Sequence, residues 1–376
     1  MVGFPSIVPA SVLGKDAPSN KINIGQIGCG RIARGHDIHD TIRFDQTKYI
    51  AVCDVDTKRA DDAKVLVDSF YKEKTGKQKY NDTKVYEDYR EMLFRSEGMK
   101  GNIGGVILFD ETIRQEAEDG TPLINIILDQ GALPGIKVDQ GLKPIGESGE
   151  SLTQGLEGLD DRLKEYYSLG ARFTKWRAVI KVGDSFPSEE AVISNMNALA
   201  EYAKLVQDHN MVPMVEPEVL MDGNHSIDQC FEATARSLDC LFNLLDDKGV
   251  NIKGTILKPN MVTSGSEAPS KADIDEVANQ TIKCLKMYVP DELPGVTFLS
   301  GGQSDLDSTA HLDAMNKIGG FKWKLSFSYG RALQQAALKA WMGKKENSSL
   351  AQAALSHRAH MNRLASEGAW SASLEN

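Results

Sequence analysis

The chain has 376 residues, enough for one large domain or two medium ones, with 26% charged and 41% hydrophobic residues. A net charge of −10 argues against a nucleic-acid surface as the main function. No apolar run approaches the roughly 20 residues needed to span a membrane, and no charged-then-apolar leader pattern opens the chain, so an intracellular, cytoplasmic protein is expected. The five cysteines are scattered and odd in number, which fits neither a disulfide framework nor a zinc site.

Residues 1–20 are rich in Pro, Ser and Gly and read as an arm. Lys21-Ile-Asn-Ile-Gly-Gln-Ile27 then alternates like a strand, Gly28-Cys-Gly30-Arg-Ile-Ala33 follows at once, and a helix pattern runs on to about Phe44. Tyr49-Ile-Ala-Val-Cys53 is a second apolar strand, closed by Asp54. Gly28, Gly30 and Ala33 form a G-x-G-x-x-A turn that lets a pyrophosphate approach a helix N-terminus, and Asp54 could accept from a ribose hydroxyl. The alternative is a βαβ unit with no ligand.

This stretch resembles the N-terminus of the Gfo/Idh/MocA oxidoreductases, through Ile24-Gly-Gln-Ile-Gly-Cys-Gly-Arg-Ile-Ala33, Ala51-Val-Cys-Asp-Val-Asp56 with Arg59 and Ala60, and Val85-Tyr-Glu-Asp-Tyr89. That resemblance implies an NAD(P) site and a Rossmann-like βαβα segment over 21–88. It stops there: the family's later Glu-Lys-Pro segment and its catalytic lysine and histidine find no match downstream. Half a dinucleotide sheet cannot bury both its faces by itself.

From residue 89 the rhythm changes. Apolar strand patterns recur every 30 to 40 residues, at 103–109, 134–138, 172–179, 212–219, 254–257, 295–299 and 324–329, with amphipathic helix patterns between them. Strands alternating with helices imply a parallel sheet, and seven such units suggest a (β/α)8 TIM barrel short of one strand. A doubly wound open sheet is the other arrangement this spacing allows.

The polar residues fall at strand ends, as a site at the C-terminal mouth of a barrel requires. Lys137 and Asp139 end one strand, Lys175 and Arg177 the next, Glu216 and Glu218 a third and Lys258 a fourth; Ser300, Gly301 and Gly302, then Tyr329, Gly330 and Arg331, close the last two. The glycine-rich turns with Arg331 offer backbone N–H groups and a guanidinium fork to a phosphate. Lys137 and Arg177 supply positive charge for a second one. Glu216 and Glu218, two residues apart, face the same side of their strand, and one of them, kept partly protonated, could shuttle protons.

Lys258 sits at the inner end of the apolar run 255–257, which Pro259 stops. Turning a lysine into a nucleophile at neutral pH takes about 4 kcal/mol of bias toward the neutral amine, from desolvation or a neighbouring cation, for which Lys175 is the candidate. A snorkelling lysine at a solvated strand end is the competing reading. A neutral amine, an acid and two phosphate clamps together describe Schiff-base carbon–carbon chemistry on a phosphorylated ketose.

The block from 89 to 376 resembles class I fructose-bisphosphate aldolase. The matching stretches include Gly105-Val-Ile-Leu-Phe-Asp-Glu-Thr112, Pro134-Gly-Ile-Lys-Val-Asp139, Gln154-Gly-Leu-Glu-Gly-Leu159 and Ala171-Arg-Phe-Thr-Lys-Trp-Arg177. They continue with Val212-Pro-Met-Val-Glu-Pro-Glu218, Leu257-Lys-Pro-Asn-Met-Val-Thr263, Phe298-Leu-Ser-Gly-Gly-Gln-Ser304, Phe327-Ser-Tyr-Gly-Arg-Ala-Leu333 and Gly343-Lys-Lys-Glu-Asn347. The resemblance implies reversible cleavage of fructose 1,6-bisphosphate to glycerone phosphate and glyceraldehyde 3-phosphate, with no cofactor or metal, in a homo-oligomer, expected to be a tetramer.

By the same resemblance Lys258 is the Schiff-base lysine. Glu216 dehydrates the carbinolamine, Glu218 and Lys175 assist proton transfer, and Ser300, Gly301, Gly330 and Arg331 hold the phosphate next to the ketone. Lys137, Lys175 and Arg177 face the other end of the substrate.

The family's first barrel strand, which carries a catalytic aspartate and leads to a phosphate-binding arginine, has no counterpart, nor has its tyrosine-ended tail. The chain therefore reads as a fusion, natural or constructed, with impaired activity expected. One repair is conceivable: the strand 50–53 could fill the open barrel position and bring Asp54 to Lys258. An oxidoreductase built on the N-terminal unit, and a barrel that binds sugars without turnover, are the other two readings.

Overall fold

The computed structural model describes residues 22–27, 29–44, 47–54, 56–77, 79–86, 101–117, 120–344 and 347–375. The arm 1–20, Gly28 and the join near Tyr89 lie outside the described residues.

All seven strands expected from the sequence form one parallel sheet. In chain order they are β4 (Gly105–Leu108), β5 (Leu133–Lys137), β8 (Phe173–Ile180), β9 (Val212–Val219), β10 (Ile256–Leu257), β11 (Gly295–Phe298) and β12 (Lys324–Phe327). They pair in the order β12-β11-β10-β9-β8-β5-β4, so each strand lies beside its predecessor among them, as in a barrel wound one way round. Two further strands, β6 (Leu142–Ile145) and β7 (Glu150–Thr153), make an antiparallel hairpin between β5 and β8 that the sequence rhythm did not reveal.

Helices cover the outside of this sheet. Helix Ile227–Asp247 shows why: it buries Cys230, Ala233, Thr234, Leu238, Leu241 and Leu245, a stripe at spacings of three and four. Its start is fixed by a capping box, in which Ser226 accepts from Gln229 N while Gln229 reaches back to Ser226 N. One continuous apolar core runs from Leu108 on β4 to Ala365.

On β5 the backbone passes so close to Phe173 that a methyl at Gly135 would overlap its ring, and the same ring lies over Gly105 on β4. Two glycines thus make room for one phenyl group across three neighbouring strands.

The N-terminal strands stand apart from this sheet. β1 (Ile22–Ile27), β2 (Thr47–Cys53) and β3 (Lys84–Tyr86) pair in parallel, with β2 in the middle. They have their own core, with Cys29, Ile38, Ile42, Tyr49, Val52, Val67 and Tyr71. The proposed repair of the barrel therefore does not occur. β2 pairs with β1 and β3, and among the described residues no strand bridges β4 and β12, leaving a seven-stranded half-barrel. The reason is local: the apolar residues of β2 are already buried against helix Thr57–Thr75 and the helical turns around Ile38 and Ile42.

Candidate active site

The strand order sets the site residues side by side at the C-terminal mouth. Arg331 follows β12, Ser300 follows β11, Lys258 follows β10, Glu216 and Glu218 lie on β9, Lys175 and Arg177 on β8, and Lys137 ends β5 with Asp139 just beyond. The strand order thus sets the expected residues along successive strand ends of one sheet, and the ion pairs join Lys137, Lys175, Glu216 and Lys258 through Asp139 and Glu216.

Lys258 is held by its backbone before its side chain does anything. Its N–H donates to Val215 O at 2.8 Å, continuing the pairing of β10 with β9. Leu299 N donates to Pro259 O at 3.1 Å, and Asn260 Oδ1 accepts from Val219 N at 3.0 Å. The two residues after the lysine are thereby tied to β11 and β9.

The lysine head lies in a buried network of charges. Lys258 Nζ is 2.9 Å from Glu216 Oε1, and Lys175 Nζ is 3.0 Å from Glu216 Oε2. Lys175 also lies 3.6 Å from Asp139 Oδ2, while Lys137 Nζ is 2.6 Å from Asp139 Oδ1 and donates to the Asp139 carbonyl at 2.8 Å. The Arg177 guanidinium is hydrogen-bonded to Glu218. Lys258, Lys175, Glu216 and Glu218 are all less than 9% exposed, so these ion pairs are shielded from water.

Burial pushes the Lys258 ammonium below its ordinary pKa; Glu216 beside it opposes that shift and Lys175 reinforces it. Both sources of bias expected from the sequence, desolvation and the Lys175 cation, act in that direction. The carboxylate stands between the two ammonium groups, and removal from water, more than repulsion, favours the neutral amine. At the neighbouring pair, the hydrogen bond to Glu218 outweighs burial and holds the Arg177 guanidinium more firmly protonated than usual.

The pairing across β8 and β9 is diagonal. Lys175 lies opposite Met214 in register but meets Glu216, and Arg177 lies opposite Glu216 but meets Glu218. Each cation thus reaches the acid two residues farther along, as the stagger of tilted barrel strands demands. Asp139, which the sequence placed at a strand end without a role, turns out to anchor three groups: Lys137, Lys175 and, at 3.3 Å, the Arg177 N–H. Its i, i+2 spacing from Lys137, the same as in Lys175/Arg177 and Glu216/Glu218, was the available signal.

At the other end of the mouth, Gly301 and Gly302 turn the chain with φ of 59° and 101°, values that favour glycine. A methyl at Gly302 would sit 3.8 Å from Arg331 Nη2, so the guanidinium lies against this turn. Gly330 caps helix Arg331–Trp341 with φ of −92°, giving a second glycine turn beside the first. This end carries Ser300, two glycine turns and a cation; the far end carries Lys137, Lys175 and Arg177; the amine and its acid lie between them in the strand order.

The dinucleotide-type residues are elsewhere. Asp54 is buried, and its carboxylate accepts from Cys29 N at 2.6 Å and Asp56 N at 2.9 Å. It braces its own turn rather than reaching Lys258 or presenting a free acceptor to a ribose. Ala33 is buried, and Gly30 O accepts from Arg34 N at 3.1 Å. Among the described residues no cluster of three His, Cys, Asp or Glu side chains could hold a metal ion. His357 Nε2 lies 3.3 Å from Glu375 Oε2. Among the described residues no helix is long and apolar enough to cross a membrane.

The family model for fructose-bisphosphate aldolase class-I matches residues 73–376. The chain is 53% identical over 284 residues to a probable fructose-bisphosphate aldolase class 1 of Xylella fastidiosa, covering 75% of this chain and 85% of that one. It is 49% identical over 281 residues to the cytoplasmic isozyme of fructose-bisphosphate aldolase from Spinacia oleracea, covering 74% of this chain and 78% of the other. Among solved structures, fructose-bisphosphate aldolase from Plasmodium falciparum superposes with a TM-score of 0.73 at 44% identity, over 75% of this chain and 82% of that chain. These matches support the lyase and give no support to a nicotinamide-dependent oxidoreductase or to a fused oxidoreductase segment. The chain belongs to the class I fructose-bisphosphate aldolases, lyases that work through a lysine Schiff base.

Proposed function

We propose that Lys258 is the Schiff-base lysine of this aldolase and that Glu216 is its proton partner. The observation that carries the assignment is the buried 2.9 Å contact between Lys258 Nζ and Glu216 Oε1. A neutral Nζ adds to the ketone carbon of fructose 1,6-bisphosphate and gives a carbinolamine. Glu216, within hydrogen-bond reach, delivers the proton with which the carbinolamine hydroxyl leaves as water. The resulting iminium draws the electrons of the C3–C4 bond as the C4 hydroxyl loses its proton. Glyceraldehyde 3-phosphate departs, and the enamine left on Lys258 is protonated and hydrolysed to glycerone phosphate. Lys175, on the other Glu216 oxygen, and Glu218, on the same face of β9, assist these proton movements.

Ser300, Gly301, Gly330 and Arg331 seat the phosphate next to the ketone, and Lys137, Lys175 and Arg177 the other one. Support comes from the separation of the two groups on either side of Lys258 in the strand order. The edge between β4 and β12, unfilled among the described residues, is where the family's first stave, with its aspartate, would stand, and this favours a reduced rate; loss of one general acid–base group costs about 10²–10⁴-fold. The division into an arm 1–20, a Rossmann-like segment 21–88 and a barrel 89–376 is supported by the separate pairing and core of β1–β3, although the family match begins at residue 73. A homo-oligomer, tetrameric by resemblance, and a cytoplasmic location complete the reading; cytosolic aldolases are among the relatives.

Borohydride reduction in the presence of fructose 1,6-bisphosphate tests the assignment. Peptide mapping should find a glycerone-phosphate adduct on Lys258; an adduct on another lysine, or none, would overturn it.

A further inference from the structure

Gln303 donates two hydrogen bonds to the Ser300 carbonyl of the proposed phosphate turn. Its backbone N–H donates to Ser300 O at 3.0 Å, and its side-chain Nε2 donates to the same oxygen at 3.1 Å. The same Nε2 lies 3.6 Å from the sulfur of Met261, three residues after Lys258 and buried. The amide oxygen faces the other way, 2.6 Å from His311 Nδ1. A carbonyl oxygen can only accept, so the amide nitrogen must point at Ser300 and His311 Nδ1 must carry the hydrogen. His311 is 8% exposed, on helix Asp305–Ile318, which starts directly after the turn.

We infer that His311 is a positioning residue for the phosphate seat: through Gln303 it fixes the Ser300 carbonyl and ties the Ser300–Gly302 turn to the loop that carries Lys258. Without the His311 donor, the Gln303 amide is free to rotate, and the Ser300 carbonyl keeps the backbone bond from Gln303 N but loses the side-chain one that also ties it to Met261. Glycines at 301 and 302 lower the barrier to that loss, because they tolerate many backbone conformations. A buried imidazole thus acts on the turn through the side-chain amide of Gln303. The inference rests on the reading that this turn seats a phosphate.

The test is steady-state cleavage of fructose 1,6-bisphosphate, with inorganic phosphate as competitive inhibitor, on full-length His311→Leu, His311→Asn and Gln303→Met. In His311→Leu, both KM and the phosphate inhibition constant should rise about tenfold, the worth of one well-made hydrogen bond, with kcat within about twofold. His311→Asn, which returns an N–H donor, should recover most of the loss; a merely space-filling role would be served as well by leucine. Gln303→Met, at a partly exposed position, should match His311→Leu and decides the matter if His311→Leu does not fold.

Unchanged KM and inhibition constant in Gln303→Met overturn the inference. Arg331→Ala separates this from failure of the underlying reading. If Arg331→Ala raises KM and the 303 and 311 variants do not, only the positioning role falls; if Arg331→Ala also leaves KM unchanged, the phosphate seat itself is misplaced.

Discussion

Glu216 holds Lys258 with one carboxylate oxygen, at 2.9 Å, and Lys175 with the other, at 3.0 Å. One acid is therefore shared between the proposed nucleophile and the cation nearest to it. This fixes the sign of every charge change at the site, because Glu216 is the principal group that keeps Lys258 protonated against its burial.

The titration of Lys258 should show this directly. Alkylation of its amine, followed by mass spectrometry across pH, should rise with a midpoint below the ordinary lysine value of 10.5, since the native state favours the neutral form. In Glu216→Gln, desolvation and Lys175 are opposed only by the smaller effect of Glu218, so the midpoint should fall further still. A midpoint that rises in this variant would contradict the shared-acid arrangement.

Arg331 is exposed and lies against the Gly302 turn. Arg331→Ala should raise KM for fructose 1,6-bisphosphate about 10- to 100-fold, the range for a lost hydrogen bond to a charged group, with a smaller change in kcat. Its unfolding midpoint in urea should hardly move, because the side chain is exposed.

Glu375 anchors the end of the described chain. Arg358, 3% exposed, grips it with Nη1 at 3.0 Å and Nη2 at 2.5 Å, and Trp370 Nε1 donates to it at 2.7 Å. Burial resists the charge, but these donors prevail and keep the Glu375 pKa below its usual value. The unfolded state then binds the proton more readily, so the stabilisation is complete above about pH 4.3 and lost as pH falls through the lower native pKa. Glu375→Gln should cost about 3 kcal/mol at pH 7, where it leaves Arg358 buried without its anion, and much less near pH 3. Urea unfolding at the two pH values measures both.

Gly135→Ala should destabilise the sheet by about 1–3 kcal/mol, the cost of overpacking against the Phe173 ring. Phe173→Leu should be damaging alone and partly compensating in the double variant, because the two residues share one space. Strict additivity in the four urea midpoints would show that they do not.

The composition of strand ends was legible from residue order. A period-2 strand puts Lys175 and Arg177, or Glu216 and Glu218, on one face whatever the fold does later, and a proline after Lys258 ends its strand. Seven repeats of strand and helix specified a parallel sheet for the same local reason. The fate of the N-terminal segment was not legible. The strand 50–53 has the form of a barrel stave, and only its tertiary partners, β1 and β3, show that it is not one.

What the sequence alone determined was therefore which chemical groups reach the mouth, since that follows from side-chain alternation and from where each strand stops. Which acid meets which base was decided by the tertiary structure. The diagonal reach from β8 to β9, the three-way hold of Asp139 and the division of Glu216 between two lysines all depend on strand stagger, and stagger is a property of neighbouring strands packed together, not of any one segment.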